Sequence, residues 1–430
     1  MRGASPRNPR AASAAWGWRW ELVLGLCAGA LFELGAMTLG GAGGGLLVAG
    51  VAAVVAWRIP RLHHALSRFL RHRSVDRWFS RALRLCGVVG PWGTRPLVRR
   101  SAALPSGMRL EVSVPVGQHT GHLLQAAPAL AAALRVREVR VVMDPADASV
   151  AHVTVVRRDP LARPTPPWPW LELSATSLWE PVPLGVDEEG RSVGVLLPEH
   201  NLLLGGEPGG GKSAALSLLV AAAALDPSVH ITLFDAKQVE LSCWADVASR
   251  FVGPDLEDAS LALSALRQEM DERYEALLAA RRRKIAPEDG LALHVVVLDE
   301  LAFYLRGAER ATRARIAEGL RDLVSRGRAA GIVVLAATQK PDHETVPTWV
   351  RDLFGYRMAL RCTTKEASDT VLGAGWAAQG YSAATVDPRL RGVGFLLAEG
   401  GVPMKLRTFY LADADVAGLA ARAGRLRGAR

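Results

Sequence analysis

Apolar and polar positions change rhythm twice along the chain. Leu22 to Leu39 and Gly41 to Trp57 are apolar runs of about 18 residues each, divided by a Gly-rich break and long enough for a tight transmembrane hairpin. Trp16, Trp18, Trp20 and Trp57 fall where interfacial aromatics sit. Arg2, Arg7, Arg10 and Arg19 precede the runs, and eight arginines between Arg58 and Arg84 follow them, so the positive-inside tendency puts both chain ends in the cytoplasm. Glu33 inside the first run is costly against lipid and is expected to face a neighbouring helix or subunit. From Arg61 to Leu85, Leu62, Leu66, Phe69, Leu70, Trp78, Phe79 and Leu83 recur at roughly helical spacing. That basic stretch fits either a helix lying on an anionic membrane surface or a solvated basic helix.

Beyond it, the period shortens. Met108 to Val116 alternates as a strand does, Leu123 to Leu134 reads as an Ala/Leu helix, and Val139 to Met143 and Ala151 to Val156 read as further strands of a small α/β module. Pro164, Pro166, Pro167 and Pro169 exclude a regular element and predict a linker. From Asn201 onward, short apolar runs at Asn201 to Leu204, Ile231 to Asp235, His294 to Leu298 and Ile332 to Ala336 are separated by amphipathic helices. Strands apolar on both faces imply a parallel sheet covered by helices on both sides, an α/β architecture.

Composition adjusts this picture in two ways. Half of the 430 residues are apolar, which supports a membrane segment. The net charge of +10 is concentrated in residues 1–100, which carry 15 basic residues against three acidic ones; the other 330 carry 37 against 39. The positive balance therefore belongs to the membrane-flanking part, and is not a nucleic-acid footprint on the region beyond it. Cys27, Cys86, Cys243 and Cys362 stand at no metal-ligand or redox spacing, so neither zinc nor a disulfide framework is indicated.

The chemistry lies at the ends of the apolar runs. Gly206, Glu207, Pro208, Gly209, Gly210, Gly211, Lys212 and Ser213 satisfy the P-loop pattern between a strand and a helix. Its glycines let backbone N–H groups close around phosphates, Lys212 neutralises the β and γ oxygens of ATP, and Ser213 ligates Mg²⁺. Leu293 to Leu298 ends in Asp299 and Glu300, as a Walker B strand does. Asp299 is the expected Mg²⁺ partner and Glu300 the group that polarises the attacking water, a pairing that favours hydrolysis over a kinase or a passive switch. Gln339, after a third strand, is placed to sense the γ-phosphate.

Several further segments resemble the FtsK/SpoIIIE family of DNA translocases. Leu233 to Ser242 is similar to its Asp-Pro-Lys-x-x-Glu-Leu segment, with Ala236 in place of the usual Pro. Met270 to Tyr274 resembles its Met-Glu-x-Arg-Tyr helix, while Arg328 to Ile332 and Ala337 to Pro341 resemble its Arg-Ala-Ala-Gly-Ile and Ala-Thr-Gln-Arg-Pro run. Within the family, Gly206 to Gly209, Leu298 to Leu301 and Leu178 to Pro181 are similar to actinobacterial Tra proteins, which move double-stranded plasmid DNA between mycelia. The resemblance implies a RecA-like motor working as a homo-hexameric ring around double-stranded DNA. It also implies an arginine reaching the neighbouring subunit's γ-phosphate, matched in position by Arg357, with Arg328 and Arg361 as rivals. Arg306, Arg310, Arg313 and Arg315 offer positive charge for lumen loops, although a solvated helix face explains most of them.

The organisation expected is a cytoplasmic basic N-terminus (1–21), a two-helix transmembrane hairpin (22–57), a basic juxtamembrane helix (58–100) and a small α/β module (101–158). A Pro-rich linker (159–185), a P-loop motor (186–411) and a basic tail (412–430) follow. The function expected is a cell-membrane-anchored, ATP-driven DNA translocase for conjugative plasmid or integrative-element transfer. A ring ATPase of a protein secretion system and a nucleotide-binding tether are the alternatives. The 19 residues after Leu411 leave no room in this sequence for a winged-helix reader, so duplex binding is expected to vary little with base sequence.

Overall fold

The computed structural model describes residues 60–428 except 91–92, 307–308, 340 and 342–347, together with residues 30, 32–34, 37 and 46. The expected hairpin, at 22–57, lies almost wholly outside the described residues. Among the described residues no helix is long and apolar enough to cross a membrane. The chain divides into two compact units, Met1–Arg158 and Asp159–Arg430.

In the first unit, helix α1 (Pro60–Leu85) precedes an antiparallel four-stranded sheet in the order β1-β2-β4-β3, formed by Leu97–Leu104, Gly107–Ser113, Val150–Val156 and Glu138–Met143 in that order. Helix α2 (Thr120–Leu134) joins β2 to β3. Alternate residues Val153 and Val155, with Leu110 and Val112, point into one core. Phe79, Ala82 and Leu83 of α1 pack into that same core beside Leu123 and Leu130 of α2. This corrects the expectation for the C-terminal half of the basic stretch: its apolar face covers the module's own sheet, leaving neither a membrane-facing nor a solvated stripe there. It also moves the module's beginning into the segment expected to be juxtamembrane, since β1 starts at Leu97.

The second unit is built on a ten-stranded sheet. Its parallel half runs β12-β7-β11-β10-β8-β9, with β7 at Leu202–Gly205, β8 at His230–Phe234, β9 at Arg250–Val252, β10 at His294–Leu298, β11 at Ile332–Thr338 and β12 at Tyr356–Leu360. An antiparallel extension adds β13 (Val393–Leu397), β14 (Met404–Thr408), β5 (Val182–Asp187) and β6 (Ser192–Val195) beyond β12. The continuous apolar runs follow from burial on both faces: Leu202, Leu204, Val295, Val297, Val333 and Leu335 face one core, and Leu203, Val296, Leu298, Val334 and Ala336 face the other. Helix α3 (Lys212–Ala224) covers the first face, and helices α4 (Leu256–Ala279) and α6 (Arg310–Arg326) cover the second. The short α5 (Leu301–Leu305) follows β10, α7 (Thr348–Arg351) precedes β12 and α8 (Lys365–Leu372) follows it. Strand β7 lies between β11 and β12, whereas its successor β8 lies on the far side of β10. The chain thus changes direction at β7, the position where open α/β sheets carry ligands.

Two family-like motifs turn out to be one structural bracket. Arg273 of α4 is buried and donates to Ala330 O at 2.9 Å and to Glu269 at 2.6 Å, while Tyr274 Oη donates to Arg326 O at 2.6 Å. Glu269 also meets His294 Nδ1 at 2.8 Å, and His294 Nε2 lies 2.8 Å from Thr232 Oγ1. Burial raises the Glu269 pKa, but His294 and Arg273 together outweigh it and hold the carboxyl at about 2. His230 comes within 4.8 Å of the pair, yet both His294 nitrogens already have partners, so the cluster is a satisfied polar network beneath the sheet.

The segment expected to be a Pro-rich linker belongs instead to the core of the second unit. It holds no regular element beyond a single 3₁₀ turn at Pro160–Ala162, as its prolines require, but Trp168, Trp170 and Leu178 are buried and Trp168 Nε1 donates to Pro183 O at 2.9 Å. The expected basic tail is likewise integrated, as helix α9 (Asp413–Arg427). Arg422 donates to the carbonyls of Leu171 and Leu173. Arg427 donates to those of Ala223, Ala224, Asp226 and Val229 at 2.6–2.9 Å, capping the C-terminus of α3. Positive charge there is used on the fold's own carbonyls. Arg427→Ala should therefore lower stability by about 2–4 kcal/mol, the loss of several charged hydrogen bonds at half-buried acceptors. Thermal unfolding of the variant checks this, and an unchanged midpoint would show the contacts to be dispensable.

Candidate functional site

The loop after β7 is held open by its neighbours. Gly206 N–H donates to Thr338 O at 3.3 Å and Glu207 N–H to Arg361 O at 2.9 Å, tying the loop to the ends of the two flanking strands. Gly210 O accepts from Gly392 N–H at 3.0 Å on the far side. Gly211 has φ 108°, and a Cβ there would meet the Gly392 backbone at 2.8 Å, so only glycine lets the loop pass. Gly209 has φ 76° with open space at its missing Cβ, which leaves backbone free to approach a ligand. The first turn of α3 then presents N–H groups that have no intrahelical acceptor.

A cleft of about 790 Å³ lies against this turn, lined on the loop side by Pro208, Gly209, Gly211, Lys212 and Ser213, with Gln339 from the end of β11. Gly206, Glu207 and Gly210 are absent from its wall and serve as anchors. The Glu207 carboxylate turns aside to an ion pair with Arg361 at 2.5 Å and accepts from Thr363 Oγ1 at 2.9 Å. Lys212 is 7% exposed. Burial lowers its pKa, opposed by the nearby Glu300 and Asp299 carboxylates, so the ammonium is held in a desolvated site by the acids that end β10.

Asp299 is 5% exposed and its Oδ2 has no hydrogen-bond partner. Burial raises its pKa to about 6, helped by Glu240, Asp235 and Glu300. An orphaned carboxylate oxygen amid excess negative charge fits a divalent cation, so the residues present suit the Mg²⁺ that triphosphate chemistry on this fold implies. Ser213 and Asp299 are the residues that would hold it, and it would neutralise charge on the β and γ oxygens. Glu300 is the N-cap of α5, and it accepts from Thr338 Oγ1 at 2.9 Å and from Gln339 N–H at 3.0 Å. The β10 glutamate and the β11 Thr-Gln pair therefore form one hydrogen-bonded unit.

The three arginines considered for a finger are separated. Arg361 is engaged by Glu207, and Arg328 pairs with Glu399 at 3.1 Å. Arg357 lies 3.6 Å from Asp352, outside the cleft of its own chain, with a buried and unpartnered Nε. Burial lowers its pKa and the neighbouring Arg351 adds to the effect.

Sequence reasoning passed over several groups that the fold brings here. Asp235 accepts three backbone N–H bonds, from Lys237, Gln238 and Leu241, and so shapes the loop that carries Glu240 into the cleft. Arg391, Thr408, Tyr410 and Asp415 complete the far wall together with residues 164–168. Only the Asp-x-Lys-x-x-Glu spacing pointed to the first of these; the others come from strands and loops with no local signature.

Comparison with known proteins follows the same lines. Residues 178–377 match the FtsK/SpoIIIE family. The DNA translocase FtsK of Streptococcus pyogenes serotype M6 is 27% identical over 346 residues, covering 74% of this chain and 41% of that protein. The DNA translocase FtsK of Lactiplantibacillus plantarum is 26% identical over 369 residues, 78% of this chain and 44% of its own length. The chain thus spans about two fifths of the length of these curated relatives. Among solved structures, the pCW3 conjugation coupling protein TcpA in its monomer form with ATPγS superposes with a TM-score of 0.55 at 19% identity, over 82% of this chain and 99% of that one. EssC (ATPases 2 and 3) from Geobacillus thermodenitrificans gives 0.51 at 16% identity, over 62% and 53%. Both share the fold, a mixed α/β P-loop ATPase architecture.

Proposed function

Residues 178–377 are an FtsK/SpoIIIE-family domain, and from that premise we propose that the chain is a membrane-anchored motor that hydrolyses ATP to move double-stranded DNA. The observation that carries the reading is the unit formed by Lys212, Asp299 and Glu300 at the ends of β7 and β10, closed by Thr338 and Gln339. A binding-only site needs the loop and the lysine. It has no use for a second carboxylate held beside the first. Glu300 takes the proton of the attacking water as the oxygen bonds to the γ-phosphorus and the bond to the β–γ bridging oxygen breaks, leaving ADP and phosphate. The Glu300 link to Thr338 and Gln339 gives the end of β11 a direct means of sensing whether that proton acceptor is in place.

The motor works as a ring of identical chains, most simply a hexamer, with duplex DNA in its pore and Arg357 supplied across each subunit boundary. Support for the last point is that Arg357 stands outside its own chain's cleft while its Nε lacks a partner. The relatives named as DNA translocases and the TcpA neighbour, named as a conjugation coupling protein, favour transfer of plasmid or integrative-element DNA as the occasion. The two apolar runs before residue 58 are the membrane anchor, with both chain ends in the cytoplasm. ATP turnover by the purified full chain, with and without linear duplex DNA, tests the substrate. Stimulation by duplex DNA is expected; turnover indifferent to DNA would favour a secretion motor, and its absence altogether a tether.

A further inference from the structure

The cleft is longer than a triphosphate needs. Beyond Ser213 and Ala214 it continues along a wall of Pro164, Pro166, Pro167 and Tyr410, with Asp415 at the first turn of α9. Nothing in the sequence marks residues 164–168 as a binding element, yet their neighbours fix them firmly. Arg407 of β14 donates to Leu161 O at 3.1 Å and Arg163 O at 2.7 Å, and its Nε to Arg391 O at 3.2 Å. Trp168, 2% exposed, anchors the other end of the proline run through Pro183 O. Burial lowers the Arg407 pKa, the cost of placing a guanidinium there, and the bonds it makes run to the proline segment and to the loop that strikes the P-loop at Gly392.

What this strapping produces is a rigid apolar shelf in line with the phosphate loop. Pro164, Pro166 and Pro167 are exposed along it, and Tyr410 is 66% exposed. Prolines carry no N–H, so the shelf presents ring faces without donors that need satisfying, which suits a flat aromatic ligand. Asp415 caps α9 by accepting from Ala412 N–H through Oδ2, which leaves Oδ1 for a donor on the ligand.

We propose that Pro164, Pro166, Pro167 and Tyr410 form the nucleoside subsite, holding the base between them, with Asp415 accepting from a ribose hydroxyl or an exocyclic amino group. This rests on the phosphate assignment at Lys212 and adds the specificity-determining half of the same site. The proline segment, in this account, makes the motor bind a nucleotide rather than any polyphosphate.

Calorimetric titration of the full-length protein with ATP and, separately, with inorganic tripolyphosphate tests it. Tyr410→Ala, and the double variant Pro166→Ala with Pro167→Ala, should weaken ATP binding tenfold or more while leaving tripolyphosphate binding within twofold of wild type. Lys212→Ala should weaken both ligands. Tyr410 is largely exposed, so its truncation should leave the ligand-free unfolding midpoint in place and exclude misfolding as the cause. Unchanged ATP affinity in the Tyr410 and proline variants, or equal losses for ATP and tripolyphosphate, overturns the subsite while Lys212 still matters. Intact ATP binding in Lys212→Ala overturns the phosphate assignment and the subsite with it.

Discussion

Glu300→Gln is expected to bind ATP with near-normal affinity and to turn it over about 10²–10⁴-fold more slowly, the range for losing a positioned general base. The amide keeps the size of the carboxylate and can still accept from Thr338 Oγ1 or Gln339 N–H, so the end of β11 stays tethered. It cannot take a proton from water. Lys212→Ala should act at the earlier step. Removing a buried ammonium flanked by Asp299 and Glu300 leaves those acids facing the phosphates unopposed. The loss is about 2–5 kcal/mol of binding, or roughly 30-fold or more in affinity. Equilibrium ATP binding and single-turnover hydrolysis separate the two variants. Near-normal turnover in Glu300→Gln would remove that residue from the chemistry.

Asp299→Asn should produce a protein that is more stable and inactive. In the nucleotide-free fold this carboxylate is buried beside Glu240, Asp235 and Glu300, and its pKa is about 6 where an unfolded chain has 3.8. A folded pKa raised in this way means that the contribution to stability is most favourable below about pH 4 and is lost as the pH rises through about 6. At pH 7.5 the ionised group therefore weighs against folding by an amount on the order of 1–3 kcal/mol, given 1.36 kcal/mol per unit. Asparagine removes that charge, so the melting temperature should rise by several degrees. Hydrolysis should fall because the amide is a poor ligand for a hard cation. Added Mg²⁺ should raise the wild-type melting temperature and leave that of the variant unmoved. A variant less stable than wild type at neutral pH would mean that the carboxylate is satisfied in the free protein, against the orphaned Oδ2.

The parts legible in the sequence are those whose chemistry is local. The P-loop shows because a backbone that must pass within van der Waals distance of Gly392 admits only glycine at Gly211. Strand β10 was read at its observed bounds, His294–Leu298, because a strand buried on both faces is apolar throughout. β1 was missed for the opposite reason. It is an edge strand of the first sheet, mostly solvent-facing, and Arg99 and Arg100 interrupt its alternation where the register slips. The Pro-rich segment was misread as a linker because prolines forbid regular structure and composition cannot distinguish irregular from unattached. Its attachment depends on Arg407 and Arg422, about 250 residues away in sequence. The far wall of the cleft was invisible for the same reason, and the arginines near the C-terminus looked like a basic tail until their acceptor carbonyls were in view.

The central claim is that hydrolysis at Lys212, Asp299 and Glu300 drives movement along duplex DNA, and displacement of a third strand from a triplex by the full-length protein tests it most directly. The account predicts displacement that needs ATP, proceeds on duplexes of unrelated sequence and disappears in Glu300→Gln. Vigorous ATP turnover on that duplex with the third strand left in place, or equal displacement by Glu300→Gln, would contradict it.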